Sequence, residues 1–501
     1  MPIEKARLDG RSLSLEVLAE IAFGRPVDID TSAVDVMTKT NNLLLEFAAA
    51  GKPIYGVTTG LGPRVKQVLA ADEIEEFALK TIRGRAHSVG NPLPRAVVRA
   101  AMAIRLNTLL IGASGASPRV ARHIEACLNA DLVPVIGETA STGAADLLWG
   151  GSMGLALIGE GAFLGKENSA NFAKDLSDAG ISPLKLGPRD GLALVSHSSF
   201  SAALAALGHY YAHIIWKSAQ TAAALTLEGF RGNLSPFTPS LLAMRPQPGQ
   251  REAAEDLLRR LENSALNEPG AARRLQDPLS LRNIPQVHGS VFAALQVMED
   301  TLLGEINGSS DNPVVLAESR QVLSGGSFLN PYLGVALVGL NHSLVHLAAQ
   351  INARSSKLLI SRFTDLPNGL LSEEADVAGL APVAKVAEAL FAEISHLATP
   401  PIVYPSQVGD GVEDTITNIA ISGKALTEIV HRLSNLISFE MIVAVQAIRM
   451  RNIDESNLAS ALRPVIRSIE KISPELTSDR SMTNELEILS DLIMNGKFSN
   501  L

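Results

Sequence analysis

Cysteine is almost absent: the 501-residue chain has one, Cys127. That excludes an intramolecular disulfide framework and a cysteine-rich metal site, and no metal ligands are assigned. Aromatic residues are scarce at 4%, with two tryptophans and five tyrosines. Strands draw on aromatic and β-branched side chains, whereas the abundant Ala and Leu form helices, so a mostly α fold is expected. No basic stripe stands out and the net charge is −9, which argues against a nucleic-acid partner. The first residues carry acids and lack a signal-type apolar region. No uncharged apolar run reaches bilayer-spanning length. The expectation is a cytoplasmic protein with no membrane partner.

What the chain does have is a run of small residues, GETASTGAADLLWGGSMGLALIGEG, from Gly137 to Gly161. Small residues opening an apolar helix let backbone approach something closely, whether another helix, a ligand or a reacting group. Elsewhere the pattern is helical. Apolar segments are expected as helices over about 199–227, 249–265, 286–304, 332–360, 382–397, 415–450 and 455–471. Several are apolar on more than one face, which implies burial in a long central helix bundle. A division into an N-terminal region, 1–195, and a region of long helices, 196–501, follows. Loops with unusual chemistry interrupt the pattern. Ile54-Tyr55-Gly56-Val57-Thr58-Thr59-Gly60 carries a lone tyrosine among glycines. Gln276-Asp277-Pro278-Leu279-Ser280-Leu281-Arg282 places an arginine beside a proline-broken turn, and Gly411-Val412-Glu413-Asp414 puts acids at the mouth of a helix.

Taken together, these loops resemble motifs of the histidine and aromatic amino acid ammonia-lyase superfamily. The tyrosine loop, the Gln276-to-Arg282 stretch with Pro285-Gln286-Val287-His288-Gly289, Glu305-Ile306-Asn307 with Asp311-Asn312-Pro313, Gly325-Gly326-Ser327-Phe328 and Gly411-to-Asp414 stand in family order. The resemblance covers roughly residues 5–470. It implies an ammonia-lyase-like α fold and a homotetramer whose active sites draw on loops from three subunits. It also implies a small amino acid or betaine substrate.

The departures concern the family's cofactor. Members build 4-methylidene-imidazole-5-one (MIO) from their own Ala-Ser-Gly triad, which needs a serine to dehydrate and a glycine nitrogen to close the ring. Counting back from Asp146 puts Gly143-Ala144-Ala145 at the triad, with no hydroxyl at its centre. Counting forward from Pro134 and Gly137 puts Ser141-Thr142-Gly143 there instead. Ser196 stands where the family has an MIO-contacting Asn, and Leu279 where it has a second tyrosine. Ser327 and Leu329 replace the usual Asn and His around Phe328. No cofactor is expected.

Without MIO the substrate must carry a good leaving group. A quaternary ammonium qualifies, since it departs as a neutral tertiary amine. The expected chemistry is therefore β-elimination similar to that of ergothionase, which converts ergothioneine to trimethylamine and thiourocanate. Tyr55 takes the β-proton, helped by neighbouring positive charge. Arg282, with Gln276 in its motif, binds the carboxylate through a bidentate fork. Glu413 holds a ring N–H or assists proton movement. Substrate contacts are also assigned to Lys385, Phe328, Ser196, His197 and Arg85, with His87 two residues beyond Arg85. Trp149 offers an aromatic face to a quaternary ammonium, worth about 0.5–2 kcal/mol, or packs a helix. Two other readings stay open: an MIO-dependent ammonia-lyase or aminomutase using Ser141-Thr142-Gly143, and a non-catalytic binding paralogue.

Overall fold

The computed structural model describes residues 4–70, 73–371 and 378–499. Helices dominate the described residues. The strands are pairs of three or four residues: Ala6–Leu8 parallel to Val27–Ile29, Val89–Pro92 antiparallel to Gly137–Thr139, and Val314–Leu316 antiparallel to Gln321–Leu323. The longest helices are Ser199–Phe230, Ile284–Ile306, Pro331–Leu358 and Ile419–Met450. Two expected starts are displaced. The helix expected from 455 begins at Arg463, because Asp454 caps a separate turn over Glu455–Asn457. The helix expected from 415 begins at Ile419, because Thr417 and Asn418 spend their backbone N–H groups on the carbonyl of Thr142.

The chain forms two compact units. The first holds Met1–Leu207, Glu299–Val335 and Pro401–Gly423; the second holds Gly208–Met298, Ala336–Pro400 and Lys424–Leu501. A single division near residue 195 does not describe this, since the chain leaves and re-enters each unit. Four of the five unit boundaries fall within the long helices, so segments distant in sequence return to the same core.

In the first unit the Arg95–Leu110 helix is buried on every face from Val97 onward. Two of its buried residues are arginines, and each has a partner. The guanidinium of Arg105 donates to both carboxylate oxygens of Asp311, at 2.8 and 3.2 Å, and to the carbonyl of Ala193 at 2.5 Å. Both side chains are fully buried, so the ion pair pins the polar 305–313 run to the core, where an unpaired charge would be costly. Close packing accounts for part of the small-residue run. A Cβ on Gly150 would lie 2.6 Å from the carbonyl of Val195, and one on Gly151 would run into the backbone of Arg85. Glycine at 151 therefore brings Arg85 against the Leu147–Leu157 helix.

In the second unit a fully buried charge is Arg354, which donates from Nε and Nη2 to the two carboxylate oxygens of Glu440 at 2.6 and 3.0 Å. Three helical stretches correct one expectation from the sequence. Asp190–Phe230, Pro331–Leu358 and Ile419–Met450 are long and apolar enough to cross a membrane by length and composition. Their most apolar windows are 100%, 50% and 83% buried within the fold, so much of that apolar surface is spent on packing.

Candidate active site

The first unit gathers three of the expected site residues. Tyr55 is half-buried, and its phenol oxygen accepts the backbone N–H of Gly62 at 2.9 Å. That contact closes the glycine loop around the ring. Arg85 follows the Ile74–Arg83 helix and lines a cleft of about 480 Å³ with Gly60, Leu61, Arg64, Phe77 and Thr81. Burial pulls the Arg85 guanidinium below its ordinary range, and the negative charges it faces, Tyr55 as phenolate and Glu413, oppose that pull. Glu413 sits on a tight turn, its N–H donating to the Val408 carbonyl at 3.2 Å. Burial raises its carboxyl and Arg85 works against the rise. One cation thus stands within electrostatic reach of a phenol and a carboxyl, and it favours the charged form of the carboxyl.

The loop before the Leu147–Leu157 helix is held by a different set of contacts. Asp146 is wholly buried and accepts from the Ser141 hydroxyl at 2.8 Å, the Ser201 hydroxyl at 2.7 Å and the Ser201 N–H at 2.8 Å. Burial raises the Asp146 carboxyl, and those hydrogen bonds counter it. Ser141 also accepts the N–H of Gly143 at 3.1 Å. Thr142, exposed, gives its carbonyl to the N–H groups of Thr417 and Asn418, and the Thr417 hydroxyl donates to the Gly143 carbonyl at 2.9 Å. Gly143 has φ +81° and Ala145 φ +59°. A Cβ on Gly143 would run into the Thr417 hydroxyl, so glycine is required there for space as well as for φ. Ala144 bridges to Leu329, and the Ala145 N–H donates to the Phe328 carbonyl at 3.2 Å.

Some of the expected contact residues serve this framework instead. Contrary to expectation, His197 is fully buried and both ring nitrogens are committed: Nε2 to the Leu194 carbonyl at 3.0 Å and Nδ1 to the Ser199 N–H at 3.3 Å. Burial pushes its pKa down to about 3, so it is a neutral packing histidine. Trp149 likewise presents no face to a cation. It is 1% exposed, donates to the Gly137 carbonyl at 2.8 Å and packs on Phe200. Ser196 terminates the Asp190–Val195 helix and is buried. Phe328 is half-buried, and its carbonyl braces Ala145 and the Ser198 hydroxyl. His87 is exposed.

The second unit carries the remaining candidates. Arg282 ends a short turn of helix, Leu279–Arg282, and its Nη1 donates to Gln276 Oε1 at 3.0 Å. Its Nε is buried without a partner. An orphaned charged donor is expensive, and a carboxylate would satisfy it. Arg282, Gln276, Asn233, Asp277 and Gln286 line a cleft of about 920 Å³ in this unit. Lys385 is exposed on the first turn of the Ala384–Leu397 helix, where the helix dipole disfavours a cation.

Sequence reasoning missed Asp146, Thr417 and Asn418 as parts of the site's frame. Asp146 served only to fix the register, and nothing local marks Thr417 as a partner of residue 143. No group of three or more His, Cys, Asp or Glu among the described residues suits a metal ion. The cofactor loop does not supply an Ala-Ser-Gly triad in either register. The centre is Ala144 in one and Thr142 in the other, and the Ser141 hydroxyl is bound to Asp146.

A family model described as aromatic amino acid lyase matches residues 13–471. The histidine ammonia-lyase of Geobacillus thermodenitrificans is 31% identical over 483 residues, covering 96% of this chain and 95% of that protein. Among solved structures, the ergothionase of Treponema denticola, an ergothioneine-degrading enzyme bound to desmethyl-ergothioneine sulfonic acid, has a TM-score of 0.93 at 27% identity. The match covers 99% of this chain and 100% of that one. The histidine ammonia-lyase of Trypanosoma cruzi has a TM-score of 0.90 at 25% identity, covering 99% and 94%.

Proposed function

The chain belongs to the aromatic amino acid lyase family and is a carbon–nitrogen lyase. From that premise we propose that it eliminates trimethylamine from a histidine-type betaine such as ergothioneine, without MIO. The observation that carries the elimination chemistry is Arg85, in electrostatic reach of both Tyr55 and Glu413. Tyr55, as its phenolate, takes the β-proton. The Cβ–H electron pair forms the double bond, and the Cα–N pair leaves with trimethylamine. A tertiary amine departs neutral and needs no proton or electrophilic carrier. Glu413 accepts a ring N–H and orients the side chain. Arg282 supplies its unpartnered Nε to the substrate carboxylate, held in plane by Gln276. Lys385, a cation placed against its helix dipole, meets the sulfur or the carboxylate. In a homotetramer these groups come from neighbouring copies.

The absence of a usable triad supports the betaine, because a primary amine leaves badly unaided. A second reading is supported by Thr142 and by relatives named histidine ammonia-lyase: Ser141-Thr142-Gly143 cyclises and a free amino acid is deaminated. The intact mass separates the two, since cyclisation and dehydration remove two waters. Incubation with ergothioneine, histidine betaine, histidine, phenylalanine and tyrosine, followed by ultraviolet absorbance, tests the substrate. A conjugated product from the betaines alone is expected. Turnover of a free amino acid with none from either betaine overturns the reading.

A further inference from the structure

The protein is acidic overall, yet one surface of the second unit concentrates cations. Three of them face a single ring. Lys357 Nζ and the guanidinium carbon of Arg362 each lie 4.9 Å from the centre of Phe363, and that of Arg274 lies 5.6 Å away. Arg231, Arg273 and Arg451 surround this group electrostatically. The carboxylates among them are Asp365, Asp277 and Glu228. Burial raises two of these, Asp277 and Glu228, against the hydrogen bonds and arginines that lower them.

Part of this charge has a structural explanation. Arg273 and Arg451 donate to the carbonyls of Phe230 and Gly229, at the end of the Ser199–Phe230 helix, where its dipole is negative. Arg273 is also paired with Asp365. Arg231 reaches the carbonyl of Ala271 and Arg274 that of Arg362. Lys357 stands in the last turn of its helix, which the dipole favours. Among the described residues, that leaves the ammonium of Lys357 and the guanidinium of Arg362 with no carboxylate and no hydrogen-bonded acceptor. Both lie, with Arg274, within cation–π distance of the one Phe363 ring. A ring quadrupole attracts each cation weakly and does nothing about their mutual repulsion.

We propose that Lys357, Arg362 and Arg274 around Phe363 form a binding site for a compact, multiply charged anion, a small phosphate-bearing molecule. Two guanidinium forks and an ammonium match tetrahedral oxygens better than they match a single carboxylate. The negative charge elsewhere on the chain disfavours an extended polyanion, which needs a longer basic track. Half-buried Phe363 gives the site a floor, and exposed Arg362 leaves it open to solvent.

Calorimetric titration of the full chain with pyrophosphate, at constant ionic strength, tests the site without relying on any activity. Saturable binding is expected in the wild type, in Lys357→Arg and in Arg282→Met. The double variant Lys357→Gln/Arg362→Gln is expected to lose at least about tenfold in affinity, the scale of one charge-assisted hydrogen bond. No saturable binding to the wild type overturns the proposal, as does equal affinity in the double variant. Binding lost in Arg282→Met would place the anion in the substrate cleft and overturn it too.

Discussion

Arg85 is the residue on which the proposed chemistry turns. It is half-buried, it pays for that position in lost hydration, and its charge faces Tyr55 and Glu413. Replacing it with glutamine keeps size and polarity but removes the charge. The Glu413 carboxyl, already raised by burial, then loses the charge that works against the rise. Its titration moves to higher pH, and the acid limb of the kcat/KM profile moves with it. At neutral pH a loss of about 10²-fold in kcat is expected, the low end of what a general base contributes. An unchanged profile would reduce Arg85 to packing. A second residue-scale prediction concerns stability. His123 is buried, its Nε2 has no partner, and burial pushes its pKa down to about 4. Its ordinary value is near 6.5, so below that pH the unfolded chain takes up a proton that the folded chain refuses. The stability His123 contributes is present above pH 6.5 and lost as pH falls toward 4. His123→Gln should therefore flatten the slope of unfolding free energy against pH over that window by about 1.4 kcal/mol per pH unit. Urea titrations of both proteins at several pH values measure it.

Among elements, the degenerate cofactor loop depends most on distant partners. Its tip is tied to Thr417 and Asn418, a few residues beyond Glu413. The clamp therefore fixes the turn that carries the carboxyl. Thr417→Val removes the hydroxyl bond to Gly143 and keeps the shape, at a cost of about 1 kcal/mol. Hydrogen exchange should quicken at residues 142–145 and 411–418 together; quickening at one alone would show that the two segments are not clamped. This coupling explains what could be read from the sequence. The Ser199–Phe230 and Pro331–Leu358 helices were legible within a few residues, because long apolar periodicity is a local signal. The three-residue strands were not, since too few residues alternate to show a period of two. Tyr55 and Glu413 stood out through family-like motifs and Arg85 as an assigned substrate contact, but their electrostatic grouping arises only when residues 55, 85 and 413 fold into one unit. His197 and Trp149 misled for the converse reason. Their side-chain types suit binding, and only the tertiary fold shows their polar atoms already used by backbone.

At the scale of the whole molecule, the chemistry is divided. Tyr55, Arg85 and Glu413 belong to one unit of the chain, and Arg282 and Gln276 belong to the other. Each group is flanked by apolar side chains that face solvent in a single chain. Ile402, Val403 and Val412 are 78%, 64% and 60% exposed near Glu413, and Met244, Leu275 and Leu279 are 83%, 90% and 60% exposed around the Arg282 cleft. Contiguous apolar surface of this kind marks contact with another chain. If neighbouring copies complete each site, a damaged Tyr55 in one copy and a damaged Arg282 in another need not fall in the same site. Tyr55→Phe and Arg282→Met are each expected to be inactive alone. Co-expressed with different tags and purified through both, the hybrid should regain amine release, because some of its sites combine an intact Tyr55 from one copy with an intact Arg282 from the other. Had a single chain supplied both groups to the same site, every site in the hybrid would carry one lesion, and no mixture would recover activity.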